Sequence, residues 1–155
     1  NQRFMKLDEG VSADQSNRQN IESNASSLPQ QAAYFLHEEL DQALLSFKKG
    51  DYGHCLVLLQ HLRRYNTNDL NCDFYMGMCW YHRHQYEKAI PLFETCAADL
   101  NNSFLQEAQF YKALSLRESG RVEEAMNMLK QIVEEDGFYA SKAALLIAGE
   151  QRQAE

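Results

Sequence analysis

The chain is poor in the residues that interrupt helices. Its 155 residues include 7 glycines and 2 prolines. That is too few for a collagen-like or Pro/Gly-rich disordered chain, and it disfavours a turn-rich β-sandwich. Long apolar runs are also missing, since no run approaches the ~18–20 residues that a transmembrane helix needs. We therefore expect no membrane insertion by this segment.

Positive charge is scarce as well. Lysine and arginine together number 15 against 22 aspartates and glutamates, which gives a net charge of −7. A surface this acidic repels phosphate backbones, so we expect no binding to nucleic acid.

Motifs for catalysis or cofactor binding are not found. The sequence contains no Walker loop, no GxGxxG fingerprint and no GxSxG nucleophile elbow. The four cysteines form no CxxC pair and match no zinc spacing, so we expect free and largely buried thiols. The prediction is no enzyme, no cofactor and no metal.

Helical patterning occupies most of the chain. Residues 1–28 form a polar arm rich in Asn, Gln and Ser, in which no period sustains a helix. Residues 29–155 are typical of a single helical domain with short turns. No stretch alternates with period two, so we predict no strand. The predicted helices cover 30–48, 53–65, 70–83, 86–99, 104–118, 122–135 and 138–150.

An internal repeat organises these helices. Three turns are followed by Tyr52, Tyr86 and Val122, which are 34 and 36 residues apart. After each of these residues, apolar side chains recur at +3, +4, +7 and +10, which places one apolar stripe on a helix. A period near 34 with two helices per unit is typical of tetratricopeptide arrays.

The sequence resembles the tetratricopeptide repeat family over residues 36–137. The repeats would be 36–69, 70–103 and 106–139, and residues 138–150 resemble the capping helix that ends such arrays. Small residues stand where paired helices would cross, at Ala43, Cys55, Gly77, Ala89, Ala113 and Ala125. The resemblance implies an all-α, right-handed α-α superhelix (a solenoid) of three helix pairs plus the cap.

A second, looser resemblance is to tetratricopeptide domains of bacterial membrane-anchored proteins. Two compartments are therefore compatible with the sequence: the cytoplasm, or the periplasm as the soluble part of a membrane-anchored protein. The oligomeric state stays open.

The family resemblance also implies a concave groove lined by the first helix of each repeat. Carried over position by position, the predicted lining is Leu40, Leu44, Phe47, Phe74, Met78, Tyr81, Phe110, Leu114 and Arg117. Chaperone-binding members grip a carboxylate with Lys, Asn and Arg along this groove. Here the Asn positions carry Leu44, Met78 and Leu114, which departs from that type. An apolar groove favours a peptide or a helix of a protein partner.

Two functions are compatible with this groove. The first is a protein–protein interaction module. The alternative is a structural scaffold or self-assembly domain of a larger protein, with the groove filled by its own chain. The polar arm, with apolar anchors such as Phe4, Met5 and Leu7, is one candidate for that filling segment.

Overall fold

The computed structural model describes residues 30–65 and 69–153, and both stretches are helical with short turns. Those residues contain seven helices and no strand. The helices are α1 (Gln30–Lys48), α2 (Tyr52–Arg63), α3 (Leu70–His82), α4 (Tyr86–Ala98), α5 (Leu105–Glu118), α6 (Val122–Glu134) and α7 (Ala140–Gln153). Each predicted helix is confirmed, with ends that agree to three residues or better. The predicted all-α class is therefore correct.

The described residues divide into two compact units, with the boundary between Cys79 and Trp80, inside α3. In the first unit α1 packs against α2. In the second unit α4, α5, α6 and α7 pack in chain order, each against the next. Consecutive antiparallel neighbours joined by short turns are the architecture of a helical repeat. The predicted polar arm, 1–28, lies outside the described residues.

The three repeat turns share one backbone conformation. Gly50, His84 and Gly120 have positive φ angles of 78°, 57° and 88°. Each donates its N–H to the carbonyl three residues back, and the next N–H bonds to the carbonyl five residues back, at 2.9–3.0 Å. This is the Schellman pairing that ends a helix. The repeat seen in the side-chain pattern is therefore also a repeat of the backbone.

His84 stands where the other repeats have glycine. A left-handed conformation costs a non-glycine residue roughly 1–2 kcal/mol. A hydrogen bond of 2.7 Å joins its Nδ1 to the hydroxyl of Tyr86, the first residue of α4. This bond holds the imidazole against the helix that follows the turn.

The small residues predicted at the helix crossings are all buried. They are Ala43, Gly77 and Ala113 on the first helices, and Cys55, Ala89 and Ala125 on the second helices. A small side chain lets two helix axes approach closely, whereas a larger one would overpack the site.

Candidate functional site

The predicted groove residues fall into two groups by burial. One group is buried and consists of Leu40, Phe47, Phe74, Met78 and Phe110. The other group is half-exposed and consists of Leu44, Tyr81, Leu114 and Arg117. Only the second group can touch a partner without a rearrangement of the core.

In the first unit, α3 is buried on all sides. Every residue from Asn71 to Cys79 is buried, as expected of a helix that lies inside a protein rather than at its surface. The Phe47 ring packs edge-on against Tyr75, with ring centroids 5.4 Å apart, and against Tyr52 at 5.6 Å. In this unit Leu40, Phe47, Phe74 and Met78 are therefore buried in packing, and Leu44 alone of the predicted groove residues stays half-exposed.

Two buried carboxylates mark the start of α3. Asp69 accepts hydrogen bonds from the backbone N–H groups of Asn71 (2.9 Å) and Cys72 (3.1 Å), which caps the helix. Asp73 lies 3.0 Å from Nε of Arg63 on α2. Burial raises the pKa of both carboxyls, although the backbone bonds at Asp69 and the Arg63 charge at Asp73 oppose that rise.

In the second unit, Phe110, Leu114 and Arg117 lie on one face of α5, since they are four and three residues apart. The Phe110 ring stacks on Tyr139 with centroids 4.5 Å apart. Tyr81 joins this region through its edge-on contact with Tyr111 at 5.3 Å. We call the half-exposed residues Tyr81, Leu114 and Arg117, together with buried Phe110, the α5 surface.

The polar groups of the α5 surface are held in place. Arg117 donates to Glu118 through Nη2 at 2.6 Å and through Nε at 3.2 Å, and its side chain is 26% exposed. Burial, together with the charges of Tyr86 and Glu118, raises the pKa of Tyr81. The Tyr81 hydroxyl therefore stays protonated at neutral pH and can both donate and accept a hydrogen bond.

A cavity of about 400 Å³ lies among α4, α5 and α6. Its apolar part is Ile90 and Leu116, against which Met128 packs. Two ion pairs stand around it, Lys112–Glu94 at 2.9 Å and Arg121–Glu124 at 2.7 Å, and the rest of the lining is Asn127 and Gln131. Six of its nine lining residues are polar or charged, so the cavity is mainly a polar site.

Two cationic side chains lie over the ring of Trp80, at the end of α3. This cluster was not predicted from the sequence. The guanidinium carbon of Arg83 is 5.2 Å from the ring centroid, and Nζ of Lys88 is 4.5 Å from it. Arg83 follows Trp80 by three residues, which is a helical neighbour spacing and the one signal in the sequence. The Lys88 contact depends on how α4 follows the turn. We call these three residues the Trp80 cluster.

All four cysteines are free and buried, as predicted. Burial, together with the charges of Asp69 and Asp73, raises the pKa of the Cys72 thiol well above its usual range, which makes it a poor nucleophile. Within residues 30–65 and 69–153, no group of three His, Cys, Asp or Glu side chains could hold a metal ion. No helix in the same stretches is long and apolar enough to cross a membrane.

Paired helices, repeated left-handed turns and small crossing residues define a helical-repeat protein. Residues 107–136, which cover most of α5 and all of α6, match the family model of the tetratricopeptide repeat. The chain is also 32% identical over 90 residues to the TPR repeat-containing protein YpiA of Bacillus subtilis (strain 168). Together with the fold, these similarities support the predicted resemblance to the tetratricopeptide repeat family.

The similarity to YpiA covers 58% of this chain and 21% of the relative. The chain thus spans about a fifth of the length of the curated relative that it matches. The looser resemblance to membrane-anchored proteins finds no support in these matches.

Proposed function

We propose that this chain is a protein-binding module that takes a peptide or a helix of a partner on the α5 surface. Tetratricopeptide repeats mediate protein–protein interaction, and their fold is typically a non-enzymatic interaction module. The proposal rests on one observation: in the second unit, the predicted groove residues Tyr81, Leu114 and Arg117 stay half-exposed.

The residue types of the α5 surface suit such a role. Tyrosine and arginine are enriched where proteins bind one another, because they combine apolar area with directed hydrogen bonds. The surface also lies on a helix whose Phe110 is locked by stacking on Tyr139. A rigid surface loses little conformational entropy on binding, which favours affinity.

A photo-crosslinking side chain tests the proposal. Placed at position 114, it should capture the partner from an extract of the source cells. Placed at position 100, it should not, although Leu100 is 79% exposed and equally apolar. Equal capture from both positions would refute the proposed surface.

A substitution pair provides a second test. Leu114→Asp should sharply reduce capture of the identified partner, since it places a desolvated carboxylate in an apolar contact. The matched control Leu100→Asp makes the same chemical change outside the α5 surface and should bind as the unchanged chain does. Circular dichroism of both variants checks that the helices persist. Undiminished binding by Leu114→Asp would contradict the proposal.

The second candidate function is a scaffold whose groove is filled by its own chain. The burial of Leu40, Phe74 and Met78 in the first unit supports it, because the chain itself covers these positions. On this reading the intact folded chain binds an apolar fluorescent dye only weakly. Strong dye binding with unchanged helix content would contradict the scaffold.

A further inference from the structure

The Trp80 cluster holds two positive charges side by side. Arg83 and Lys88 are exposed, and both are drawn to one half-buried ring by its negative face. Their distances from the ring centroid place the two charges within about 10 Å of each other, roughly one Debye length, so they repel. An anion placed between them would relieve that repulsion.

No carboxylate in the described part of the chain forms an ion pair with either cation. Four other cations of the chain each have a carboxylate within 3.0 Å, namely Arg63, Lys112, Arg117 and Arg121. Glu87, the sequence neighbour of Lys88, lies in the first turn of α4 and forms no ion pair with it. Arg83 and Lys88 therefore differ from these four cations, and they share one aromatic ring.

The turn beside the cluster lacks the carboxylate that the first repeat has. In the first repeat, Asp51 caps α2 and accepts the N–H of His54 at 3.0 Å. The equivalent residue of the second repeat is Gln85, whose side chain makes no capping hydrogen bond. The first turn of α4, like those of α5 and α6, thus presents backbone donors and the positive end of the helix dipole without a capping acceptor, and it also contains Glu87.

We propose that the Trp80 cluster, together with the start of α4, binds a short acidic segment of a protein partner. One or two Asp or Glu carboxylates of that segment lie against Arg83 and Lys88, and their methylene groups pack on the Trp80 ring. The rest of the molecule favours a short motif over a polyanion. With a net charge of −7, the chain repels a long run of negative charge such as a nucleic acid. Screening limits that repulsion for a motif of one or two charges.

This binding is separate from that of the α5 surface, since the two share no residue. A negative result for the Trp80 cluster therefore does not contradict binding at the α5 surface, and the reverse also holds. The Trp80 cluster also contains its own reporter, because Trp80 is the single tryptophan of the chain.

The experiment is a fluorescence titration of the full chain at low salt. The probe is a short capped peptide with two adjacent glutamates, and its partner probe has glutamines in their place. We expect a saturable change of Trp80 emission with the glutamate peptide and at least tenfold weaker binding of the glutamine peptide. An absent or non-saturable change would overturn the proposal, as would equal binding of the two peptides.

Variants localise the effect. Arg83→Gln and Lys88→Gln should each weaken binding about two- to fivefold, the upper part of the range of an exposed ion pair. Lys130→Gln is the matched control, since it changes the net charge equally at an exposed lysine of the same unit. The affinity of Lys130→Gln for the glutamate peptide should stay within about twofold of that of the unchanged chain. Equal weakening in all three variants would reduce the effect to net charge and overturn the proposal.

Two further measurements complete the test. Gln85→Asp supplies the missing carboxylate from within the chain, so it should weaken peptide binding while the helices persist. Unchanged binding by this variant would remove the start of α4 from the site and overturn the proposal as stated. Tighter binding of an oligothymidylate than of a glutamate peptide of equal charge would overturn it in favour of a nucleic acid.

Discussion

The two glycines of the repeat turns, Gly50 and Gly120, both have a positive φ angle and open space where a Cβ would lie. At Gly120 the φ angle is +88°, and an added Cβ would meet no atom within 4 Å. Backbone strain alone therefore opposes a side chain there. Gly120→Ala should lower the free energy of unfolding by about 1 kcal/mol, measured by urea denaturation.

Gly149 is the natural control for this substitution. It lies within α7 at an ordinary φ angle, and a Cβ there would also meet open space. Gly149→Ala should raise the free energy of unfolding by about 0.5–1 kcal/mol, because alanine is the better helix former. Loss of stability in both variants would show that the positive φ angle does not set the cost at Gly120.

The crossing alanines offer a test of packing at single-residue scale. Ala125 is fully buried in a cluster with Ile90 and Leu116. Ala125→Leu should overpack this cluster and destabilise the chain by roughly 1–3 kcal/mol. Ala144→Leu adds the same atoms at an exposed position of α7 and should change stability little. An unchanged thermal midpoint for Ala125→Leu would contradict the assigned repeat register.

At the scale of helices, the N-terminus of α2 is capped and that of α4 is not. The Asp51 carboxylate accepts the N–H of His54 at 3.0 Å. Asp51→Ala should therefore cost about 1 kcal/mol of unfolding free energy, whereas Asp51→Asn keeps an acceptor and should cost less. Equal losses in chemical denaturation would mean that the charge, and not the hydrogen bond, stabilises α2.

Helix α3 shows how far periodicity can predict a site. The family register placed Phe74 and Met78 on the groove, and both lie in the part of α3, Asn71 to Cys79, in which every residue is buried. An apolar stripe is the same in sequence whether another part of the chain or a partner covers it. For that reason Leu114, rather than Phe74, is the residue to substitute. Truncating a fully buried phenylalanine costs about 3–5 kcal/mol and would confound binding with unfolding.

At the scale of the whole molecule, buried carboxyls link stability to pH. Burial raises the pKa of Asp69 and Asp73, so the folded chain keeps their protons at a higher pH than the unfolded chain does. The stabilisation from this protonation is complete below the unfolded pKa of about 4 and is lost as the pH rises through the folded pKa. Each group contributes a slope of at most about 1.4 kcal/mol per pH unit.

Asp73→Asn isolates one of these contributions. The unfolding free energy of the unchanged chain minus that of the variant should fall as the pH rises from about 4 toward neutral. Urea denaturation at a series of pH values measures this difference. Glu135→Gln neutralises an exposed carboxylate of the second unit and serves as the control. A difference that rises with pH would show that the Arg63 ion pair outweighs burial at Asp73.

The sequence by itself determined the repeat, the helix ends and the crossing residues. These depend on local properties: a glycine at a left-handed turn, an apolar stripe of helical period, and an alanine where helices cross. Only the tertiary structure decided which apolar stripe is exposed to solvent: Leu114 stays half-exposed, whereas Phe74 is buried. It also brought Arg63 to Asp73 and Lys88 to Trp80. Burial and pairing depend on what the rest of the chain packs against each residue, and that information is not local.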